Sequence, residues 1–349
     1  SFDHNVEDEA ELRIGQVLDA AREPAAPFGV SADSVNRHVF VSGATGAGKS
    51  ETVRSLLWTL DQKAVPWLVV EPAKAEYAAL APWLDPSRPL VVIRPGDPDR
   101  PPPMLNPLEP SSILVGGKRV TFPLQTHLDM VRALFMAAFD ADEPFPQVLS
   151  AGLTQTYQRS GFNLVTGGPS EPDLTPPQWP VLGDLVRESL DVVGGIGYAK
   201  DVRDNVSGFI KVRIESLRSG TPGRFFEGGY PLDLEVLLSR PAVLEIEDLG
   251  DDRDKAFFMG NVIIRVVEML RLRQKHGLQP IGLSHVLVIE EAHRLLHRAA
   301  EGSPTAHAVT LFANLLAEIR AYGEGVVVAE QIPAKIIPDL VKNSAVKLM

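Results

Sequence analysis

The sequence of 349 residues contains no cysteine, which excludes disulfide bonds and cysteine-ligated zinc. It also has no apolar run near the roughly 18 residues that a membrane-spanning helix needs. Basic residues are in the minority: 34 lysines and arginines stand against 45 acidic residues, a net charge of −11. An acidic chain is not typical of a protein with a broad nucleic-acid-binding surface. The lack of cysteine favours a cytoplasmic enzyme, and the acidic composition argues mildly against DNA as a partner.

A glycine-rich segment lies early in the chain, between an apolar run and an amphipathic one. Residues 38–42 predict a strand and residues 51–60 predict a helix, the context that a phosphate-binding P-loop requires. Its backbone N–H groups and the helix N-terminus attract phosphate oxygens. Lysine at the helix start reaches the β- and γ-phosphates, and the serine that follows it ligates Mg²⁺. We therefore predict an ATP site formed by Gly43, Ala44, Thr45, Gly46, Ala47, Gly48, Lys49, Ser50 and Glu51.

Short apolar runs predict one α/β core. They are continuous rather than alternating, which is typical of parallel strands covered on both faces, and they occupy residues 38–42, 66–71, 90–94, 242–247, 285–290, 325–329 and 345–349. Between about 122 and 218 the apolar residues follow a helical period, interrupted by a proline-rich loop at 168–180.

These patterns predict how the chain is divided. We expect a mainly parallel sheet built from core segments 31–110 and 236–349, with a mainly helical insertion at 111–235. Residues 1–30 are predicted to be a short lead-in that packs against the core. Both ends look trimmed from a longer protein, because no methionine starts the chain and the last predicted strand is cut at Met349.

A second chemical signal follows the apolar run 285–290, where Glu290 and Glu291 are adjacent. Nucleotide hydrolysis needs one carboxylate for Mg²⁺ and a second that deprotonates the attacking water. A buried parallel strand delivers both at the carboxyl edge of the sheet, where ligands of α/β proteins bind. Glu290 is therefore predicted to serve the metal and Glu291 to be the catalytic base.

Gln331 follows the predicted strand 325–329. A polar side chain at the tip of the strand beside the P-loop can detect the γ-phosphate through a hydrogen bond. We predict that Gln331 is this sensor.

Several of these segments together resemble the HerA/FtsK superfamily of hexameric P-loop motors. The resemblance covers about 36–95 and 240–349, and it rests on the P-loop, the run 289–293, Arg320-Ala321-Tyr322-Gly323, Glu330-Gln331 and Lys342-Asn343. Residues 71–77 are similar to the acidic segment that follows the second core strand in HerA-like proteins.

The resemblance implies a RecA-like core with an additional strand, and hydrolysis of ATP with Mg²⁺ at subunit interfaces. It further implies a homo-hexamer for the full-length protein, and helicase or translocase activity on double-stranded DNA. HerA works with a nuclease partner, and HerA-like ATPases occur in anti-phage defence. HerA also carries a small amino-terminal β-barrel, which nothing in residues 1–30 matches.

The family also needs an arginine from a neighbouring subunit near the γ-phosphate. Arg320 is the candidate that we select, with Arg213, Arg218, Arg265 and Arg271 as rivals.

Other residues favour ordinary structural roles. His293 and His297 have a metal-ligand spacing but no evident third ligand. Arg294, Arg298 and the loop 299–307 are interpreted as surface rather than as a DNA-contacting pore. Trp67, Trp83 and Tyr77 are expected in the core.

Two functions compete with a DNA motor. One is a secretion or conjugation ATPase that moves protein or nucleoprotein through the same core. The other is an ATP-binding scaffold for a nuclease or defence effector, and the adjacent glutamates argue against it.

Overall fold

A computed structural model describes residues 11–140, 143–170 and 177–349. The described strands are β1 Leu12–Leu18, β2 Pro24–Val30, β3 Val39–Ser42, β4 Trp67–Glu71, β5 Val91–Ile93, β6 Pro103–Met104, β7 Ser112–Val115, β8 Lys118–Thr121, β9 Tyr230–Pro231, β10 Ala242–Glu245, β11 His285–Glu290, β12 Glu324–Glu330 and β13 Val346–Leu348. The described α-helices are α1 Ala32–Asn36, α2 Lys49–Gln62, α3 Leu124–Phe139, α4 Phe145–Arg159, α5 Leu182–Ile196, α6 Lys200–Arg218, α7 Gly220–Glu227, α8 Leu234–Leu237, α9 Asp252–Lys275, α10 Pro304–Glu318 and α11 Pro338–Asn343. Short 3₁₀ helices lie at Tyr77–Trp83, Ala292–Arg294, Ile319–Tyr322 and Pro333–Lys335.

One seven-stranded sheet carries the core, in the order β13-β3-β12-β11-β4-β10-β5. Every pairing within it is parallel, so all seven carboxyl ends meet at one edge. Its strands are the seven apolar runs that the sequence predicts. The α/β fold class and the mainly parallel sheet are therefore confirmed.

The sheet separates two apolar clusters, because successive side chains of a strand point to opposite faces. In β4, for example, Leu68 and Val70 pack into a cluster with α3, α9 and α10, whereas Trp67 and Val69 pack into a cluster with α2. Helix α9 belongs to the first cluster and is buried along most of its length. Core strands covered on both faces explain why their sequences lack polar alternation.

Residues 12–30 of the predicted lead-in form an antiparallel hairpin of β1 and β2. Leu12 and Ile14 are buried in the cluster around α2, and the Thr59 hydroxyl donates a 2.6 Å hydrogen bond to the carbonyl of Arg13. Neither strand is predicted from the sequence pattern, because Pro24 and Pro27 weaken the signal of β2. Residues 1–10 lie outside the described residues.

The predicted helical insertion contains α3 to α8, preceded by a hairpin of β7 and β8. Part of the predicted loop, 171–176, lies outside the described residues. The boundaries at 30, 110 and 235 remain a prediction. Among the described helices, none combines the length and the apolar composition that crossing a membrane requires.

Candidate nucleotide site

The P-loop lies at the carboxyl edge of the sheet, between β3 and α2. Gly46 and Gly48 have φ values of 81° and 90°, a left-handed conformation that L side chains rarely adopt. A Cβ on either would contact nothing within 4 Å, so the backbone angle rather than space requires glycine there. Gly48 caps α2, and Lys49 is the first residue of that helix. The loop is exposed, with its backbone available to an anion.

Acidic side chains end three neighbouring strands, β11, β4 and β10, at the same edge of the sheet as this loop. Glu245 of β10 is in register with Glu71 of β4, and Glu290 of β11 follows Ile289, which pairs with Val70. All three carboxyl groups are buried. Like charges at this spacing disfavour full ionisation of the row.

Glu71 shows the consequence most clearly. Its side chain has no exposed surface, and Oε1 accepts a 2.6 Å hydrogen bond from the backbone N–H of Glu76. Burial, together with the nearby carboxylates of Glu290 and Glu245, raises the pKa of Glu71 to about 8 against the lowering effect of that hydrogen bond. Glu71 is therefore largely a neutral acid near pH 7.

The carboxylate of Glu290 is held by Tyr77. The Tyr77 hydroxyl donates a 2.6 Å hydrogen bond to Oε1 of Glu290. Burial raises the pKa of Glu290, whereas this hydrogen bond and the Lys49 ammonium lower it. The predicted metal ligand and the P-loop lysine therefore lie close enough to interact electrostatically.

Glu291 has a left-handed backbone, with φ of 50°. Non-glycine residues in this region cost of the order of 1 kcal/mol and cluster at functional sites. The backbone N–H of Glu291 donates to the carbonyl of Ala329 at 3.0 Å, which ties the turn to the neighbouring strand. This arrangement places the predicted base directly after the predicted metal ligand.

Glu330, at the end of β12, collects a second set of hydrogen bonds. Its carboxylate is buried and accepts bonds from the backbone and Nδ1 of His293 and from the N–H groups of Gln331 and Ile332. Burial raises the pKa of Glu330, but the bonds from His293 and the backbone outweigh it and lower the pKa below the ordinary value. Glu330 therefore fixes the turn that carries Gln331.

The side chain of Gln331 reaches the P-loop. The Thr45 hydroxyl lies 3.3 Å from Oε1 of Gln331, in position to donate a hydrogen bond. The contact forms because β12 and β3 are neighbours. The predicted sensor and the predicted phosphate loop are thus brought together, across 286 positions in the chain.

Oxygen donors are what Mg²⁺ prefers, and the predicted pair fits that requirement. Ser50 supplies a hydroxyl in the first turn of α2, and Glu290 supplies a buried carboxylate at the end of β11.

The ligand atoms of Glu291, His293 and Glu330 also lie within 4.8 Å of one another. His293 is engaged by Glu330, whereas His297 faces Asp140 at 3.4 Å, so the two histidines serve different partners.

The predicted trans arginine lies away from this edge. Arg320 is exposed on the 3₁₀ helix that precedes β12, at the amino-terminal edge of the sheet. It therefore does not join the nucleotide site of its own chain. Its rivals are engaged elsewhere: Arg265 is buried, Arg218 pairs with Glu215 and Glu227, Arg271 pairs with Glu318, and Arg213 lies over the Phe209 ring.

Trp67 and Tyr77 are core residues as expected, but Trp83 is 71% exposed, so its expected burial was wrong. The pattern around Trp83 is apolar, but its 3₁₀ helix leaves that position facing outward. Arg294 is paired with Asp252 at the surface.

No functional role for Glu71, Tyr77 or Glu330 is predicted from the sequence. Glu71 and Tyr77 lie in the segment 71–77 that resembles HerA-like proteins, and this likeness was the available signal. Glu330 was grouped with Gln331, but its contact with His293 spans 37 positions and follows no local pattern.

Comparison with known proteins agrees with the geometry. Residues 12–125 match the family described as helicase HerA, central domain. Among curated protein sequences, none matches the chain.

The fold also matches solved structures. VirB4 of Thermoanaerobacter pseudethanolicus is 17% identical with a TM-score of 0.67, over 98% of this chain and 82% of that one. The conjugative coupling protein TrwB in its unbound monoclinic form is 15% identical with a TM-score of 0.55, over 93% of this chain and 66% of that one. TrwB in complex with ADP and Mg²⁺ is 14% identical with a TM-score of 0.54, over 95% and 70% of the two chains. The chain thus spans about two thirds of TrwB.

The parallel sheet, the P-loop and the acidic strand ends define a P-loop ATPase with a RecA-like core. The match of residues 12–125 to the HerA central domain agrees with the resemblance to the HerA/FtsK superfamily, and it begins upstream of the P-loop, in the β1–β2 hairpin.

Proposed function

We propose that this chain binds ATP with Mg²⁺ and is the ATPase core of a ring-forming motor that moves double-stranded DNA. The observation that carries the proposal is the contact between Thr45 of the P-loop and Gln331 at the end of β12. It joins the phosphate-binding loop to a segment that leads away from the site, as a motor requires. The match of residues 12–125 to the HerA central domain supports the same assignment.

Each residue of the nucleotide site has a separate role in ATP hydrolysis. Lys49 and the backbone of 43–50 hold the β- and γ-phosphates, and Ser50 with Glu290 would hold Mg²⁺, which neutralises phosphate charge when bound. Glu291 accepts a proton from the attacking water while the oxygen of that water bonds to the γ-phosphorus. The bond from that phosphorus to the β–γ bridging oxygen then breaks, which releases ADP and phosphate. Gln331 distinguishes the triphosphate from the product by a hydrogen bond to the γ-phosphate.

The segment beyond Gln331 is suited to transmit this signal. The backbone N–H of Arg298 donates to the carbonyl of Lys335 at 3.1 Å, and its guanidinium donates to the carbonyl of Ile336 at 3.2 Å. These bonds join the residue that precedes the loop 299–303 to the loop 332–337, where Lys335 is exposed. The Lys335 ammonium would contact phosphates of the duplex from this surface, despite the acidic composition of the chain.

Steady-state ATPase assays with and without duplex DNA test the proposal. We expect strong stimulation by DNA at low salt that is lost at high salt. Lys335→Ala should weaken DNA binding uniformly across sequences and reduce the slope of log affinity against log salt by about 1. Lys347→Ala, at the sheet edge, is the matched control. Absence of stimulation by any DNA would refute the DNA motor.

A conjugation-type ATPase is the second candidate. The fold likeness to VirB4 and to the coupling protein TrwB favours it. Stimulation by a protein or nucleoprotein substrate, with naked duplex inactive, would support this candidate. A scaffold for a nuclease or defence effector would instead bind ATP with negligible turnover.

The proposed assembly of subunits into a ring is tested separately. Sedimentation of the full-length protein with ATP and Mg²⁺ should give a homo-hexamer. A monomer under those conditions would contradict a catalytic site shared between subunits.

A further inference from the structure

An open cleft adjoins the P-loop helix on its outer side. It has a volume of about 370 Å³ and is lined by Glu51, Arg54, Ser55, Trp58, Ala79, Leu80 and Trp83. Trp58 is 45% exposed and Trp83 is 71% exposed. Large exposed apolar side chains that border one cavity mark a binding surface more often than chance.

The cleft begins where the phosphate site ends. Glu51 directly follows Ser50, and Glu51, Ser55 and Trp58 are spaced i, i+4, i+7, so they share one face of α2. At 1.5 Å per residue, Trp58 lies about 10 Å along the helix from Glu51. A nucleotide with its phosphates at residues 43–50 has its ribose and base beyond the loop, and this face of α2 leads into the cleft.

Trp83 completes the cleft from the opposite side. It ends the 3₁₀ helix Tyr77–Trp83, which is anchored in the core by Tyr77 and Leu80. The first residue of that helix is also the residue that holds Glu290. The far wall of the cleft is therefore tied to the catalytic edge rather than to a free loop.

Arg54 links the two sides of the cleft. Its guanidinium pairs with Glu51 and donates a 3.0 Å hydrogen bond to the carbonyl of Glu76. Its Nε is buried and has no hydrogen-bond partner among the described residues. The cleft thus combines two indole rings with a few polar groups, the composition of a small-molecule site.

We propose that this cleft binds the aromatic base of the nucleotide whose phosphates the P-loop holds, by stacking against Trp58 and Trp83. The inference rests on the nucleotide binding proposed above and adds the base-binding half of that site. Stacking is tolerant of base identity, because every base has a π face. ATP and GTP are therefore expected to bind with affinities that differ by less than about tenfold.

Ligands with and without a base separate the two halves of the site. Binding of ATP and of inorganic tripolyphosphate, each with Mg²⁺, is measured by calorimetry on the protein and on Trp83→Ala and Trp58→Ala. Loss of stacking should weaken ATP binding by about 5-fold to about 150-fold in each variant. The affinity for tripolyphosphate should not change. Circular dichroism verifies that the variants are folded.

Tryptophan fluorescence gives an independent readout. ATP should quench the wild-type emission and tripolyphosphate should not, and Trp58→Phe with Trp83→Phe should abolish the difference. Trp179→Phe is the control, since Trp179 stacks on Phe162 at 4.3 Å in the helical insertion and should leave the quenching intact.

The outcomes are distinct. If neither ATP nor tripolyphosphate binds, the proposed nucleotide site fails. If both bind and the alanine variants bind ATP like the wild type, the base-binding inference alone is overturned. Loss of DNA binding or of subunit association in those variants, with ATP affinity unchanged, would also overturn it and assign the cleft to a macromolecular partner.

Discussion

The hydroxyl of Tyr77 donates a 2.6 Å hydrogen bond to Oε1 of Glu290, across 213 positions in the chain. Both side chains are buried. Tyr77 follows β4 and Glu290 ends β11, and the two meet because these strands are neighbours in the sheet. The bond holds one carboxylate oxygen, which leaves the other for the Mg²⁺ that we propose Glu290 binds. We therefore expect Tyr77 to position this metal ligand.

Tyr77→Phe tests that role with little change in volume. Without the hydroxyl, the carboxylate of Glu290 loses its fixed orientation, and outer-shell changes of this kind typically cost 10- to 100-fold in metal affinity or activity. We expect the Mg²⁺ concentration for half-maximal ATPase activity to rise by about this factor. Tyr230→Phe, at a residue that is 69% exposed, is the control. An unchanged Mg²⁺ dependence would show that the bond is only structural.

Glu291→Gln tests the proposed base. The amide keeps the shape but accepts no proton from the attacking water, and general-base catalysis contributes about 10²- to 10⁴-fold. Phosphate release should fall by that factor while the ATP dissociation constant stays within about threefold. Glu23→Gln, at an exposed position between β1 and β2, should behave like the wild type in both assays. Full turnover by the Glu291 variant would mean that another residue is the catalytic base.

Glu71 makes stability depend on pH. Its carboxyl has a reference pKa of 4.5 and a pKa of about 8 when folded. Between these values the folded state retains a proton that the unfolded chain has released, so the free energy of unfolding falls as pH rises from about 5 to about 8. Glu71→Gln keeps the neutral form and should abolish this loss.

Thermal unfolding without nucleotide or Mg²⁺ measures the effect. The Tm of Glu71→Gln should match the wild type near pH 5 and exceed it by a few degrees at pH 8. Glu235→Gln, at an exposed position of α8, should show no such divergence. A Tm difference that is constant across pH would mean that Glu71 is ionised in the folded protein.

Arg320→Ala tests the proposed contribution in trans. An arginine supplied by a neighbouring subunit is worth about 10³- to 10⁵-fold in turnover, so the variant should bind ATP and hydrolyse it poorly. Mixing it with Lys49→Ala subunits, which retain Arg320 but lack the P-loop lysine, should restore part of the activity. Arg271→Ala should instead lower the Tm, because it breaks hydrogen bonds of 2.9 and 2.7 Å to Glu318. Undiminished hydrolysis by Arg320→Ala would exclude the role.

Much of this protein follows from local patterns in its sequence. The seven core strands are buried on both faces and therefore appear as short continuous apolar runs. The P-loop is recognisable because residues 43–50 must supply two left-handed glycines and a lysine at one helix start. Glu290, Glu291 and Gln331 are identifiable because each lies at the end of a strand or directly after it, and these strand ends share one edge of the sheet.

Only the tertiary structure decided the contacts between distant segments. The bonds of Tyr77 to Glu290, of His293 to Glu330 and of Thr45 to Gln331 depend on strand order, which apolar runs do not encode. The raised pKa of Glu71 arises from burial and from carboxylates on two adjacent strands. The exposure of Trp83 likewise depends on which face of its 3₁₀ helix meets α2. Local sequence specifies what each segment is, whereas packing across the sheet determines which side chains become neighbours.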